Sequence, residues 1–391
     1  MRVKNIYSKL TELVLILLVF ILIGIISNEN LFFVYKKTED NKISEVEELK
    51  EFIEVYEEIL SRYYKEVDKK HLIQGAIEGM LSTLGDPNSS FLDSEKTSSF
   101  NDRMTGQYKG IGVEILDTNE NEVLIVNIFE NSPAYKSNLK VGDVIVSIDG
   151  VDITKLASFE IANIIKYKPS DDIKIGIKRK DELLEFDLIK EEIILSSVVK
   201  EVFEVNNKKQ GYIKISIFAA NTYSQFKQAL LELESENIDE LIIDVRNNSG
   251  GYLSSVSNLL ELFIENGKPL YKMQTKEKTE TIYSESLEKR NYPVKVLINQ
   301  YSASASEILA IGLKESYNAT LFGVTSYGKG TVQEIFLLDS GAMTKITIKE
   351  WLSPKGNKID GIGVIPDIEI KSEIMFTDYS EDLQLQETLK K

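Results

Sequence analysis

The hydrophobic period of this chain changes along its length, and each change fixes a different kind of structure. An uncharged run of 14 residues, Leu13 to Ile26, follows Arg2, Lys4 and Lys9. At ~1.5 Å per residue it is about 21 Å long, which suits a signal-peptide core as well as a membrane anchor. Small residues at a cleavage-site spacing are missing and no cysteine can carry a lipid. Residues 1–28 are therefore expected to be an uncleaved anchor with the basic end inside and the rest exported; if the segment is cleaved, the protein is secreted. From Val46 the apolar residues Val46, Leu49, Ile53, Tyr56, Leu60, Tyr63 and Val67 alternate three and four apart, a heptad stripe. That stripe packs either on its own domain or against a second copy of the chain, as a homodimer. A second helical pattern, Leu72 to Leu84, stops at Gly85-Asp86-Pro87, where Gly suits a helix end and Pro forbids continuation.

From Tyr108 to about Lys190 the period shortens to β-rich runs, Ile111–Leu116, Val123–Phe129, Asp143–Ile148, Ile173–Lys178 and Leu184–Leu188, interrupted by one helix, Phe159–Tyr167. After Glu191 strands alternate with helices: Gly211–Ile217, Thr222–Glu236, Glu240–Asp244, Leu253–Glu265, Val294–Asn299 and Ala305–Glu315. Such alternation argues for a mostly parallel, covered sheet that gathers ligands at the C-terminal ends of its strands. The expected architecture is multidomain α+β. It comprises a membrane segment, a helical N-terminal region (29–95), a β-rich domain (96–190), an α/β core (191–371) and a polar, acidic loose tail (372–391).

A chain of 391 residues is too long for one compact core. Its net charge of −16 repels a phosphate backbone, so nucleic acid is excluded as a partner and an anionic ligand would need a local basic site. The absence of cysteine removes disulfides, thiolate metal sites and a cysteine nucleophile together. A single histidine, His71, rules out a multi-histidine metal centre and lies far in sequence from the chemistry below. No metal or organic cofactor is implied.

The β-rich segment resembles a PDZ domain. The likeness runs through Tyr108-Lys109-Gly110-Ile111-Gly112-Val113 and through Asn131-Ser132-Pro133-Ala134-Tyr135 leading into Leu139-Lys140-Val141-Gly142-Asp143-Val144-Ile145. It implies that Tyr108–Val113 present backbone N–H groups to a peptide's terminal carboxylate and that the peptide then adds as a strand. Gly110 and Gly112 allow that approach, although glycines also serve plain turns.

In the α/β region, the buried-strand pattern Pro293–Asn299 runs through Gln300-Tyr301 into Ser302-Ala303-Ser304-Ala305-Ser306-Glu307, which opens a helix. A serine at such a turn is either a helix cap or a nucleophile beside free backbone N–H groups. With His71 discounted, a nucleophilic serine needs Lys, Asp or Glu as its base. Lys329 sits between Gly328 and Gly330 ahead of the apolar strand Thr331–Leu338, and alternation puts Lys329, Thr331 and Gln333 on one face, where Gln333 can orient the amine. A lysine base near neutral pH requires burial to lower its pKa by about 3–4 kcal/mol of differential solvation. A phosphate-binding role is disfavoured because Gly330, not Ser or Thr, follows the lysine.

Together these segments resemble the carboxyl-terminal processing peptidases, or tail-specific proteases. Six motifs carry the likeness in order: Gly85–Leu92, the PDZ segment, Asp244–Gly251, Asn299–Glu307, Gly328–Gln333, and Trp351–Gly356 with Gly361–Asp367. The resemblance implies Ser304 as nucleophile, Lys329 as general base, Gln333 holding the lysine, and an oxyanion hole from the N–H groups of Ala305 and Gly251. It further implies protein or peptide substrates with apolar C-termini, cleaved near their tails. Tyr327 and Trp351 stand where the family commonly has Phe and Tyr, and neither is expected to touch the chemistry. Asp244 and Arg246 read as a structural ion pair.

Two rival readings remain open at this stage. Ser-x-x-Lys occurs at Ser137, Ser197 and Ser224 among other places, but without the accompanying motifs of an acyl transferase or β-lactam-type enzyme. A non-catalytic scaffold using the PDZ segment to hold tails at the membrane would leave the Ser304, Lys329 and Gln333 set unexplained.

Overall fold

The structure, a computed structural model, describes residues 47–118, 122–371 and 379–391. The apolar run 13–26 lies outside them, and no helix among the described residues is long and apolar enough to cross a membrane. The chain divides into two compact units, Met1–Ile73 and Gln74–Lys391.

In the first unit the helix Glu47–Arg62 ends before the expected heptad stripe does. Tyr63 closes its last turn on the Ile59 carbonyl, and Asp68 accepts the N–H groups of Lys70 and His71 at 2.8 and 3.2 Å, starting a separate helix, Lys69–Ser82. A capped restart breaks the register that the spacing alone suggested. Leu49, Phe52, Ile53 and Val55 stay exposed on the first helix.

In the second unit, residues 113–189 form an antiparallel sheet in the order Val113–Asp117, Val123–Ile128, Val144–Ile148, Asp172–Arg179, Glu182–Ile189. Its core is aliphatic, with Ile125, Ile161, Ile175 and Ile177 fully buried. Arg179 clamps the buried Asp143 carboxylate with two bonds of 2.7 and 2.8 Å. The strand Val113–Asp117 is one edge of this sheet, and its end is tied to the helix Ser158–Tyr167 by Asp117, which accepts both the N–H and the hydroxyl of Ser158.

The larger core is a six-stranded sheet in the order Val198–Val205, Lys208–Ile215, Glu240–Asp244, Val294–Ile298, Thr320–Gly323, Ile368–Glu369. The first pair is antiparallel and the rest are parallel. Period-two alternation sorts the side chains. Ile213, Ile215, Leu241, Ile243, Val296 and Ile298 face a cluster with the helices Thr222–Ser235, Leu253–Leu260 and Ala305–Gly312, while Tyr212, Ile242, Leu297 and Phe322 face the other way. A second, antiparallel sheet joins Ser90–Leu92, Thr331–Leu337, Met343–Leu352, Pro269–Gln274 and Thr279–Tyr283.

The expected loose tail is corrected by the structure. Leu383–Lys390 is a helix capped by Asp382, and Leu385 and Leu389 bury against Tyr212, Ile242, Leu297 and Phe322. Two apolar residues four apart suffice to cover that face, and an otherwise acidic composition hides them. Arg246 ties the helix down, bridging Asp244 and Asp382 at 2.6 Å each. Leu385→Ala should therefore cost about 2–5 kcal/mol of unfolding free energy. Urea denaturation checks this, and an unchanged midpoint would mean that the terminal helix does not cover the sheet.

Candidate active site

The parallel strand Val294–Ile298 delivers the chain to a turn at its C-terminal end, and the turn feeds the helix Ala305–Gly312. The three serines of this turn have different fates. Ser302 is fully buried, its hydroxyl donating to the Val245 carbonyl (2.8 Å) and accepting from the Asn299 N–H (3.0 Å). Ser306 is buried too, donating to the Asn248 carbonyl at 2.8 Å. Ser304 alone of the three lines a cavity of about 630 Å³, and its hydroxyl caps nothing. Its backbone has φ 56° and ψ −115°, a left-handed conformation that costs a non-glycine residue about 1–3 kcal/mol.

Two contacts hold that strained turn. The Ala303 N–H donates to the Asn248 carbonyl (3.0 Å), and the Ser304 N–H donates to the Glu307 carboxylate (2.8 Å). Asn248 also orders the glycine turn after the strand Glu240–Asp244 by accepting the Gly250 N–H at 2.9 Å. A Cβ on Gly250 would lie 2.9 Å from Ser304 Cβ, and one on Gly251 would lie 2.2 Å from the Phe218 carbonyl oxygen, so only glycine fits. The N–H groups of Ala305 and Gly251 donate to no acceptor among the described residues, and both residues line the cavity beside Ser304. With the N-terminal end of the helix, they form a site ready for negative charge.

Lys329 lines the same cavity. Its N–H donates to Glu307 (2.9 Å), and its carbonyl accepts the Trp351 indole N–H (2.9 Å). Trp351, expected to stand apart from the chemistry, is fully buried and fixes the main chain of this lysine. Burial lowers the Lys329 amine below the ordinary lysine range and repulsion from Lys345 adds to the effect, against the opposing charges of Asp86 and Glu307. Lys345, another lining residue, is itself lowered by burial, and its ammonium lies 5.5 Å from the centre of the Phe100 ring.

Glu307 is the residue that motif reading missed. It is fully buried, and its two oxygens accept four hydrogen bonds, from the Ser304 and Lys329 N–H groups, the Ser326 hydroxyl (2.5 Å) and the Gly328 N–H (2.7 Å). A signal for it was present, since Ser304-x-x-Glu307 has capping-box spacing. Gln333 behaves differently from expectation. It shares the cavity wall with Lys329 and Thr331, as alternation predicts, but its amide nitrogen donates to Thr331 (3.0 Å) and Thr347 (3.1 Å). Among the described residues no hydrogen bond joins Lys329 to Gln333 or to Ser304, although all three line one cavity.

The six residues expected to bind a peptide are divided. Tyr108, Lys109 and Gly110 belong to a ladder, Gln107–Gly110 against Glu191–Ile194. There Lys109 pairs with Asp171 (2.7 Å), and burial pushes the Tyr108 hydroxyl up to about 12. Ile111 is buried in the domain core, so its side chain is unavailable to a ligand. The Ile111 and Gly112 N–H groups donate to no acceptor among the described residues, and they lead into Val113 and its edge strand.

An α/β core with a serine at a strained strand-to-helix turn, and with a half-buried lysine and unclaimed N–H groups lining the same cavity, defines a serine peptidase. Family comparison agrees. The profile of "Peptidase family S41" matches residues 209–370, "PDZ domain" matches 110–189, and "Activating protease CtpB N-terminal domain" matches 26–96. The chain is 38% identical over 338 residues to "Carboxy-terminal processing protease CtpB" of Bacillus subtilis (strain 168), covering 86% of this chain and 70% of that protein. It is 31% identical over 338 residues to "Probable CtpA-like serine protease" of Staphylococcus aureus (strain COL), covering 85% and 66%. The solved "photosystem II D1 C-terminal processing protease" shares the fold, with a TM-score of 0.51 at 23% identity over 87% of this chain and 91% of that one. This chain belongs to peptidase family S41, as a C-terminal processing serine peptidase with a PDZ domain.

Glu307→Gln turns a carboxamide NH₂ toward two of the four donors. With two buried donors unsatisfied, stability should fall by about 2–6 kcal/mol. Chemical denaturation reads this directly; a loss under about 0.5 kcal/mol would show that the carboxylate does not hold the two loops together.

Proposed function

We propose that Ser304 and Lys329 are the catalytic pair. Ser304 Oγ attacks the scissile carbonyl as the neutral Lys329 Nζ takes its proton, and the N–H groups of Ala305 and Gly251 stabilise the oxyanion. Collapse of the tetrahedral intermediate expels the amine, which takes the proton from Lys329. Water, deprotonated by the same lysine, then releases the acyl product and restores Ser304. The observation that carries this reading is the meeting of the uncapped Ser304 hydroxyl and the depressed Lys329 amine in one cavity, with their main chains bound to one carboxylate.

The PDZ domain is proposed to take an apolar protein C-terminus on the edge strand Val113–Asp117, with the free N–H groups at Ile111 and Gly112 meeting the carboxylate. Cleavage then falls near that tail. The apolar run ahead of the described residues supports export and single-pass anchoring at the cell membrane, with the catalytic unit outside. The exposed Leu49, Phe52, Ile53 and Val55 support a helix-mediated homodimer. The assigned chemistry leaves the non-catalytic scaffold without a role for the paired serine and lysine.

Ser304→Ala and Lys329→Ala should each abolish both peptide cleavage and labelling by a fluorophosphonate. Ser302→Ala should keep the nucleophile and lose about 1–3 kcal/mol of stability from its stranded buried partners. Labelling that survives in Ser304→Ala and disappears in a folded Ser302→Ala would move the nucleophile.

The acid limb of inactivation by the same probe should report deprotonation of Lys329. Lys345 disfavours the Lys329 ammonium; Asp86 and Glu307 favour it. Lys345→Met removes the like charge, Lys329 then holds its proton to higher pH, and the limb should move up. A limb that stays in place would separate the two lysines electrostatically.

A further inference from the structure

The motif Gly85–Leu92 enters the account above only through the charge of Asp86, yet its side chains close a ring of hydrogen bonds on Gln333. The Asp86 carboxylate accepts the Asn88 N–H (3.0 Å) and the Ser89 hydroxyl (2.6 Å). Ser89 Oγ in turn accepts the Thr347 N–H (3.0 Å), and Thr347 Oγ1 accepts from Gln333 Nε2 (3.1 Å). Gln333 Nε2 also donates to Thr331 Oγ1 (3.0 Å), which accepts from Asn88 Nδ2 (3.2 Å) and so closes the ring. Both donors of the Gln333 amide are thereby committed, and its carbonyl oxygen Oε1, which has no partner among the described residues, is the end left over. Gln333 lines the cavity that holds Lys329.

We propose that Asp86, Asn88 and Ser89 are positioning residues for the lysine base: the ring fixes the Gln333 carboxamide so that Oε1 is the end offered to an N–H of Lys329 when substrate closes the site. The inference rests on the Ser304–Lys329 reading. The strand Ser90–Leu92 anchors the motif by pairing with Met343–Lys345, two residues before Thr347, so the ring is braced by a sheet rather than by a free loop. Burial alone would raise the Asp86 carboxyl, but bonds from the Ser89 and Thr347 side chains and from the Asn88 and Ser89 main chain bring it below the usual carboxylate range. An ionised Asp86 accepts only, which sets the direction in which the ring's hydrogens point. Its charge also reaches Lys329, where Glu307 acts in the same sense and Lys345 in the opposite one.

Inactivation kinetics with a fluorophosphonate test this in the full chain. Ser89→Ala and Asn88→Ala, each breaking a different link, should lower the maximal inactivation rate about 10- to 100-fold while leaving the half-saturating probe concentration within about twofold. Ser89→Thr, which keeps the hydroxyl, should restore most of the rate. Asp86→Asn should in addition move the acid limb to lower pH, because the carboxylate that favours the Lys329 ammonium is gone. That shift reads the field of Asp86 at Lys329, and the rate loss in Ser89→Ala and Asn88→Ala, with rescue by Ser89→Thr, reads the positioning. Parental rates in folded Ser89→Ala and Asn88→Ala, or an acid limb unmoved in Asp86→Asn, would overturn the proposal. If the parent protein itself fails to react, or Ser304→Ala still reacts, the catalytic assignment fails and the ring's role falls with it. Slow variants beside a reactive parent, with rescue by Ser89→Thr and the shifted limb, support the ring itself.

Discussion

The site depends on one buried carboxylate. Glu307 sits in the first turn of the helix that follows Ser304, and it accepts hydrogen bonds from both the nucleophile's turn and the loop that carries Lys329. Burying a bare carboxylate is prohibitive, and four donors converging on two oxygens offset that cost only if both segments stay in place. The same bond that satisfies the charge restrains the Ser304 main chain at positive φ, where relaxation would withdraw the N–H. Strain at the serine and charge at the glutamate are therefore held by each other.

Around Lys329 the balance is electrostatic. Burial and the neighbouring Lys345 disfavour the ammonium, while Asp86 and Glu307 favour it, and the net direction is downward. In a chain of net charge −16, the Lys329 amine is lowered by local geometry against the field of the whole. Trp351 and the flanking glycines make that geometry possible. The indole N–H fixes the Lys329 carbonyl, and a Cβ on Gly330 would come within 2.6 Å of the Asp360 main chain.

Features carried by short-range pattern were legible in the sequence. The strand Glu240–Asp244 appears with its expected bounds, and the serine turn and glycine-flanked lysine were visible as local motifs. Features that depend on distant partners were not. Glu307 has capping-box spacing, but its role requires a loop 22 residues further on, and Ser89 meets Thr347 across 258 residues. The alternation argument placed Gln333 on the face of Lys329, where both line the cavity, but it could not name Thr347, 14 residues further on, as a partner of the Gln333 amide. The terminal helix was hidden because two leucines among acidic and polar residues carry little weight until a complementary sheet face is known.

The central claim is that Lys329 is a neutral amine in the working range of a serine peptidase. Titrating the protein with isotope-labelled lysine by nuclear magnetic resonance, with Lys329→Arg used to assign the signal, measures this without any substrate. The account predicts one lysine resonance that titrates well below the ordinary value of about 10.4 and vanishes in the variant. A Lys329 signal that titrates with the surface lysines would contradict it.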